Sequence, residues 1–309
     1  MLKLAIVTYT RKNEYLTKEL LNIGNLISKE GYNVIMEWYS ESTKELPKED
    51  GFLIIQTVMD GTKFSKLINI LTNKNYDYII SLDNDINASE SGLIKLVNET
   101  ISNDYDISWG RVYSREVNNI TSNLVKVDKL LSHNILRPAL WMCNLGVTIP
   151  GQCFMLKVEC FKNKLPETNT FLDDLSIGLF AAKNKLKYLY LNEVVVKEIP
   201  SYSFSSLLKQ RSRWAIGYKQ SLACPTLMFR DKYLLLIHGF SYHILPLLHL
   251  SLLVLLFTYY PLLFLFTLLL TASIISLKDY KSFPYAIIYQ IIFPIFHIQW
   301  LQKIIKSKL

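Results

Sequence analysis

Tyr78-Ile79-Ile80-Ser81-Leu82-Asp83-Asn84-Asp85 is the stretch that decides how this chain of 309 residues folds. Five residues of strand character run without a break into two carboxylates flanking an asparagine. Apolar, β-branched runs recur upstream at residues 3–9, 32–38 and 52–58. After the first run, Tyr15, Leu16, Leu20, Ile23 and Ile27 stand at helical spacing, and Gly31 supplies a stop. Before Tyr78, Phe64, Leu67, Ile68 and Leu71 mark the stripe of another helix. This alternation predicts an α/β domain whose sheet is mainly parallel and covered by helices on both faces. Such sheets bind ligands beyond the carboxyl ends of their strands, which is where Asp83 and Asp85 fall.

Further strands are expected near residues 107–110, 151–158 and 186–196, and a helix from Asp173 to about Lys183. The apolar stretch 138–149 is too short to span a bilayer and suited to lie against one. From Leu234 to Leu277 no residue is charged over 44 positions. A span needs roughly 20 apolar residues, so two membrane helices are expected, turning at Tyr259-Tyr260-Pro261 and kinked at Pro246. A third apolar segment, 283–302, is interrupted by Gln290, Pro294, His297 and Gln299. The resulting division is 1–199 as a catalytic domain, 200–232 as an amphipathic interfacial segment and 233–309 as a membrane domain of two or three helices.

Charge follows the same division. The net charge is +8, yet residues 1–199 carry 23 Lys and Arg against 24 Asp and Glu. Residues 200–309 carry 11 bases against 2 acids. A nucleic-acid binder carries its basic face on the folded domain; here the excess sits beside the apolar region and suits anionic lipid headgroups. Arg230 and Lys232 before the apolar pair, and Lys278 and Lys281 after it, put both its ends on the cytosolic side. A third full span would place Lys303, Lys306 and Lys308 outside, so 283–302 reads equally as a re-entrant or interfacial segment. The first apolar run lacks the length and cleavage site of a signal peptide. Cys143, Cys153, Cys160 and Cys224 have no metal-ligand spacing. Both features agree with a catalytic domain facing the cytoplasm.

Four short motifs carry chemistry, each with a plainer alternative. Asp83 and Asp85 repel one another unless a divalent cation bridges them, and Mg²⁺ or Mn²⁺ there would also hold phosphates; the alternative is a solvated turn. Asp60-Gly61-Thr62-Lys63 opens a helix and can bring N–H groups and an ammonium to a phosphate, or it is a turn with a surface lysine. Asp173-Asp174 at a helix start is either an N-terminal cap pair or the seat of a general base. Gln210-Arg211-Ser212-Arg213-Trp214 suits the polar face of an interfacial helix.

Taken in order, Asp83-x-Asp85, Asp173-Asp174, Lys197-Glu198-Ile199-Pro200 and Gln210-x-x-Arg213-Trp214 resemble the family 2 inverting glycosyltransferases. The likeness is to the membrane-integrated branch with cellulose, hyaluronan and chitin synthases and ceramide glucosyltransferase, and it covers residues 3–220. It implies a GT-A fold with Asp85, together with Asp83, at the metal, and Asp83 also at the donor's sugar or ribose. It further implies Asp174 as catalytic base, Arg213, Gln210 and Lys63 on the donor, and Trp214 lining the acceptor site. Asp173 stands where the family has glutamate. The family's aspartate after the second strand is missing from Met36-Glu37-Trp38-Tyr39-Ser40-Glu41, where Glu37 is the best substitute donor contact.

The expected activity is therefore metal-dependent transfer of a sugar from a nucleotide sugar, a UDP-sugar above others, to a hydroxyl. Two or three helices are few for a polymer channel, which favours a lipid or lipid-linked acceptor at the membrane. A processive polysaccharide synthase that builds its pore as a homo-oligomer is the alternative. A non-catalytic nucleotide-binding membrane scaffold is the alternative of another class, and it would have no need of both Asp83-x-Asp85 and Asp174.

Overall fold

The sheet begins with β1 (Lys3–Thr10), whose residues Leu4, Ala5, Ile6 and Val7 are all buried. A strand apolar on both faces belongs inside a parallel array, and β1 lies between β2 (Asn33–Ser40) and β4 (Tyr78–Asp83), parallel to both. β3 (Leu53–Val58) extends the parallel set beyond β2. The structure, a computed structural model, describes residues 2–49, 51–115, 119–165, 172–224 and 227–306. Lys308 lies outside the described residues.

Beyond β4 the expectation of a mainly parallel sheet gives way to a mixed one. β5 (Ile86–Ala88) follows β4 after only Asn84 and Asp85, too short a link for the crossover that parallel pairing requires. It pairs antiparallel with β8 (Tyr188–Glu198). β7 (Cys153–Lys157) runs antiparallel to β4 and to β6 (Ile107–Ser114). The order across the eight strands is β3-β2-β1-β4-β7-β6-β8-β5.

Helix α1 (Lys18–Lys29) carries the predicted stripe from Leu20 on, with Tyr15 and Leu16 ahead of it, α2 (Lys63–Asn73) carries the second, and α3 (Glu90–Ser102) follows β5. Leu20, Ile23 and Ile27 of α1 and Leu93, Leu96 and Val97 of α3 enter one core with Met36, Trp38 and Ile80 of the sheet. Each such side chain contributes about 1.5–3 kcal/mol relative to exposure.

The chain divides into two compact units, Met1–Val112 with Thr148–Ile199, and Tyr113–Val147 with Pro200–Leu309. The second unit thus takes in a segment that the boundary at 199/200 assigns to the first. The reason lies in α4 (Ile120–Leu131), whose Leu124, Val125, Val127 and Leu130 share a core with Ala272, Ile275, Ala286 and Phe293. Its Lys126 also pairs with Asp279 at 2.5 Å. Within the first unit the chain adds α6 (Val158–Phe161) and α7 (Asp173–Lys183); α5 (Arg137–Met142) belongs to the second.

In the second unit α8 (Phe204–Ala223) opens on a reciprocal cap between Ser203 and Ser206. α9 (Phe229–Gly239), a π turn at Phe240–Ile244 and α10 (Leu245–Tyr259) form one helix of 31 residues, the one among the described residues long and apolar enough to cross a membrane. Its π turn precedes Pro246, as another at Ser132–Leu136 precedes Pro138. Proline lacks an N–H and its ring strikes the carbonyl four residues back; a wider turn relieves both. α11 (Pro261–Ser276) breaks from α10 at the predicted turn, and with 16 residues it falls short of a full span. Segment 283–302 is divided at Pro294 into α12 (Phe283–Ile292) and α13 (Pro294–Lys306).

Packing of α3 on β8 is close enough to test. A Cβ on Gly92 would stand 2.3 Å from the backbone oxygen of Val194, which has no side-chain freedom to yield. Gly92→Ala is expected to cost about 1–3 kcal/mol, read as a lower unfolding midpoint of the purified protein; an unchanged midpoint would show that α3 is not seated on β8 this way.

Candidate active site

The site in the first unit is assembled at the carboxyl end of β4. Asp83 is the last residue of that strand, and its N–H is held by Gln152 O at 3.1 Å. Asn84 fixes the turn that follows: its Oδ1 accepts from Thr17 N at 3.2 Å and its Nδ2 donates to Tyr15 O at 2.9 Å. The middle residue of the triplet is thereby tied to the segment leading into α1. Asp83 and Asp85 flank this anchored turn; Asp85 keeps part of its surface open to solvent while its carboxyl sits close enough to the protein to lose some hydration.

Lys63 reaches this edge because α2 starts there. Gly61 turns the chain with φ +111°, a left-handed conformation suited to glycine. Thr62 caps the helix by accepting from Ser65 N at 3.2 Å. Lys63 is the first helical residue, and its ammonium donates to Asp83 Oδ1 at 2.7 Å and to Gly151 O at 2.6 Å. Asp173 Oδ2, which is buried and makes no hydrogen bond, faces the same ammonium at 3.7 Å. Next to it, Asp174 Oδ1 accepts from Leu175 N at 2.9 Å in the first turn of α7. A Cβ placed on Gly151 would meet Asp174 Cβ at 3.6 Å. Lys63, Asp83, Gly151, Asp173 and Asp174 thus form one cluster drawn from four parts of the chain.

The charges are strongly coupled. Burial by itself would lower the Lys63 pKa, but the carboxylates of Asp83, Asp173 and Asp174 outweigh it and raise the value. Burial raises the pKa of Asp173, against the pull of Lys63 and with a further push from Asp83. For Asp85, lost hydration and then the charge of Asp83 raise it. Carboxylates that repel in this manner favour a cation between them. Among the described residues no group of three or more His, Cys, Asp or Glu could hold a metal ion. Two carboxylates suffice for Mg²⁺ or Mn²⁺ when phosphate and water complete the shell, so Asp83 and Asp85 fit such an ion.

Glu37 does not join this group. β2 runs on to Ser40, so Glu37 lies inside the strand rather than at its end. Its side chain is fully buried, paired with Lys74 at 3.4 Å and accepting from the Tyr76 hydroxyl. Both partners belong to the connection that enters β4, at the other end of that strand from Asp83. The acid at the end of β2 is Glu41, which accepts from Tyr9 Oη at 2.5 Å and from Lys12 N at 3.0 Å. Burial and then Glu41 push the Tyr9 pKa up to about 12. Lys66 is buried beside them, its ammonium 3.5 Å from the centre of the Tyr9 ring, and burial lowers its pKa. A lysine three residues after Lys63 reads in sequence as a solvated helix face; only the apolar neighbours Phe64 and Leu67 hint otherwise.

Gln210, Arg213 and Trp214 lie on α8 in the second unit. Gln210 Oε1 accepts from Ser201 Oγ at 3.4 Å, while Arg213 and Trp214 are exposed. The buried member of the motif is Arg211, which pairs with Asp128 of α4 and stacks over Trp214 at 4.4 Å and Phe293 at 5.4 Å. Asp128 also accepts from Tyr289 Oη at 2.8 Å. Arg211 carries no local signal of its burial, because its partner Asp128 lies 83 positions away and Tyr289, which shares that carboxylate, lies 161 positions from it.

The profile of glycosyl transferase family group 2 matches residues 78–299. No curated protein matches the chain. Among solved structures, the mannosyltransferase PcManGT from Pyrobaculum calidifontis, in complex with GDP-Man and Mn²⁺, is similar over 99% of this chain and 88% of its own, with 13% identity and a TM-score of 0.54. S. aureus TarS 1–349 is similar over 78% of this chain and 72% of its own, with 12% identity and a TM-score of 0.47. The same TarS fragment with UDP-GlcNAc gives 13% identity, 78% and 73% coverage and a TM-score of 0.47.

Removing the ammonium from the cluster has a predictable pH signature. Lys63→Met leaves Asp83 and Asp173 without their shared cation and is expected to cost about 2–3 kcal/mol at pH 8, less than a fully buried pair because Asp83 is partly solvated. The Asp173 pKa is raised in the folded state, so the folded state binds that proton more tightly and gains relative stability as pH falls. Without Lys63 the rise is larger, and the deficit should shrink between pH 8 and pH 5. Unfolding midpoints of both proteins at the two pH values decide it; an equal deficit at both would contradict the coupling.

Proposed function

This chain belongs to glycosyl transferase family group 2, and from that premise we propose that it is an inverting, metal-dependent transferase acting at a membrane. The observation that carries the proposal is the cluster of Lys63, Asp83, Asp173 and Asp174 at the carboxyl edge of the sheet. Donors of this family are nucleotide sugars, and a UDP-sugar remains the expected one. Glu41 at the end of β2, rather than Glu37, is the acid suited to a donor contact.

In the proposed reaction Asp174 accepts the proton of the acceptor hydroxyl. The acceptor oxygen forms its bond to the anomeric carbon as that carbon's bond to the diphosphate breaks, and the nucleoside diphosphate leaves with the bonding electrons. Lys63 supplies positive charge beside the diphosphate. Asp83 and Asp85 would hold a Mg²⁺ or Mn²⁺ ion, which when bound supplies further charge stabilisation to the leaving group. The Mn²⁺ in the mannosyltransferase neighbour supports that assignment. For Gln210 and Arg213 at the donor and Trp214 at the acceptor, the support is the resemblance of the motif.

The acceptor is proposed to be a lipid or lipid-linked hydroxyl. The apolar helix Phe229–Tyr259 and the basic excess of residues 200–309 support membrane attachment with the catalytic unit on the cytosolic side.

Two variants test the roles. Asp174→Asn is expected to lower turnover by about 10²–10⁴-fold while donor affinity, measured by calorimetry, stays nearly constant; near-normal turnover would remove Asp174 from the reaction. Asp85→Asn should shift the Mn²⁺ dependence of turnover to higher concentration. An unchanged Mn²⁺ curve would place the cation elsewhere.

A further inference from the structure

Inside the second unit the helices enclose a half-open cavity of about 310 Å³. Ile135, Pro246, Ile275 and Phe293 supply apolar wall from four different parts of the unit. Ser241, Thr271, His249, His297 and the polar ends of Tyr289 and Gln290 line it as well, and the last two are spent on protein. Gln290 Nε2 donates to Leu268 O at 3.1 Å and Ala286 O at 3.0 Å, and its Oε1 meets His249 Nε2 at 2.9 Å. The Tyr289 hydroxyl is committed to Asp128. His297 brings one buried Nε2 without a hydrogen-bond partner. The rest of the wall is aliphatic and aromatic, which suits a hydrocarbon better than a cluster of waters.

The volume is roughly twice that of an engineered apolar cavity of ~150 Å³ that stays dry and takes up benzene. It also reaches the lower end of the ~300–1,000 Å³ range of ligand pockets. The neighbouring helices α10 and α11 present exposed Leu248, Leu252, Phe266 and Leu270. A long apolar molecule lying along that surface therefore meets a cavity of its own polarity.

We infer that this cavity binds one hydrocarbon chain of a phospholipid drawn from the surrounding bilayer; the inference rests on the reading of Phe229–Tyr259 as a membrane-spanning helix. Two of the lining residues also support the Gln210–Trp214 motif. Tyr289 shares Asp128 with Arg211, and the Phe293 ring lies 5.4 Å from the Arg211 guanidinium. A bound chain packs on both and steadies Arg211 on α8.

The test uses the full chain in nanodiscs of phosphatidylglycerol that carries a diazirine at mid-chain, irradiated and mapped by peptide mass spectrometry. Adducts are expected at Ile135 and Ile275 as well as on the exposed faces of α10 and α11. Two separate filling variants, Ile275→Phe and Ile135→Phe, guard against misfolding of either one. Each should lose the adduct at the opposite wall and keep those on the outer faces. Limited trypsin cleavage after Arg211 should rise when the wild-type protein is delipidated and fall again on adding phosphatidylglycerol, while the filled variants respond to neither. Adducts confined to the outer faces would overturn the inference and leave the spanning helix standing. Absence of adducts from α10 and α11 altogether would overturn both.

Discussion

One ammonium holds the candidate site together. Lys63 donates to Asp83 at the end of β4 and to the Gly151 carbonyl ahead of β7, and it faces Asp173 at the start of α7. Those three segments are distant in sequence, and carboxylates brought so close repel one another. The lysine makes their proximity tolerable, and it stands at the sheet edge because Gly61 and Thr62 start α2 at that point. In the proposed reaction the cation that balances carboxylates in the resting protein is also the one that faces the diphosphate.

The second unit is organised by a comparable element. Arg211 is buried on α8, paired with Asp128 on α4 and flanked by Trp214 and Phe293. Leaving either charge without the other would be costly in an apolar surrounding. The ion pair therefore fixes α8 relative to α4 and leaves Arg213 and Trp214 exposed on the same helix. In this motif one arginine anchors and the other is presented.

The parallel half of the sheet was legible because strand and helix alternate with distinct periods up to Asp83, and the acidic triplet declares its place by ending a strand. The second half was not, since β5 pairs with β8 about 110 residues later and short apolar runs carry no record of their direction. Asp83, Lys63, Asp173 and Asp174 could be singled out from local context, but their convergence depends on Gly151, which carries no chemical signal of its own. Glu37 falls inside β2 because Tyr39 and Ser40 continue a strand that the local pattern ends at Trp38. Lys66 carries no local signal, because burial of a lysine is decided by tertiary packing, here the Tyr9 ring and the Gly61 carbonyl. In the apolar region the 44 uncharged residues hold two helices, of which one is long and apolar enough to cross a membrane.

Family membership, the acidic edge of the sheet and the coupled charges converge on a displacement at an anomeric carbon with a diphosphate leaving. The stereochemistry of that displacement tests the account most directly. Proton NMR of the product formed from an α-linked UDP-sugar, with Mn²⁺ and membrane lipid present, reads the new anomeric configuration as UDP is released. A single inverting step gives a β-linked product, which is the expected result. An α-linked product, or release of UDP with no glycosidic bond formed, would contradict it.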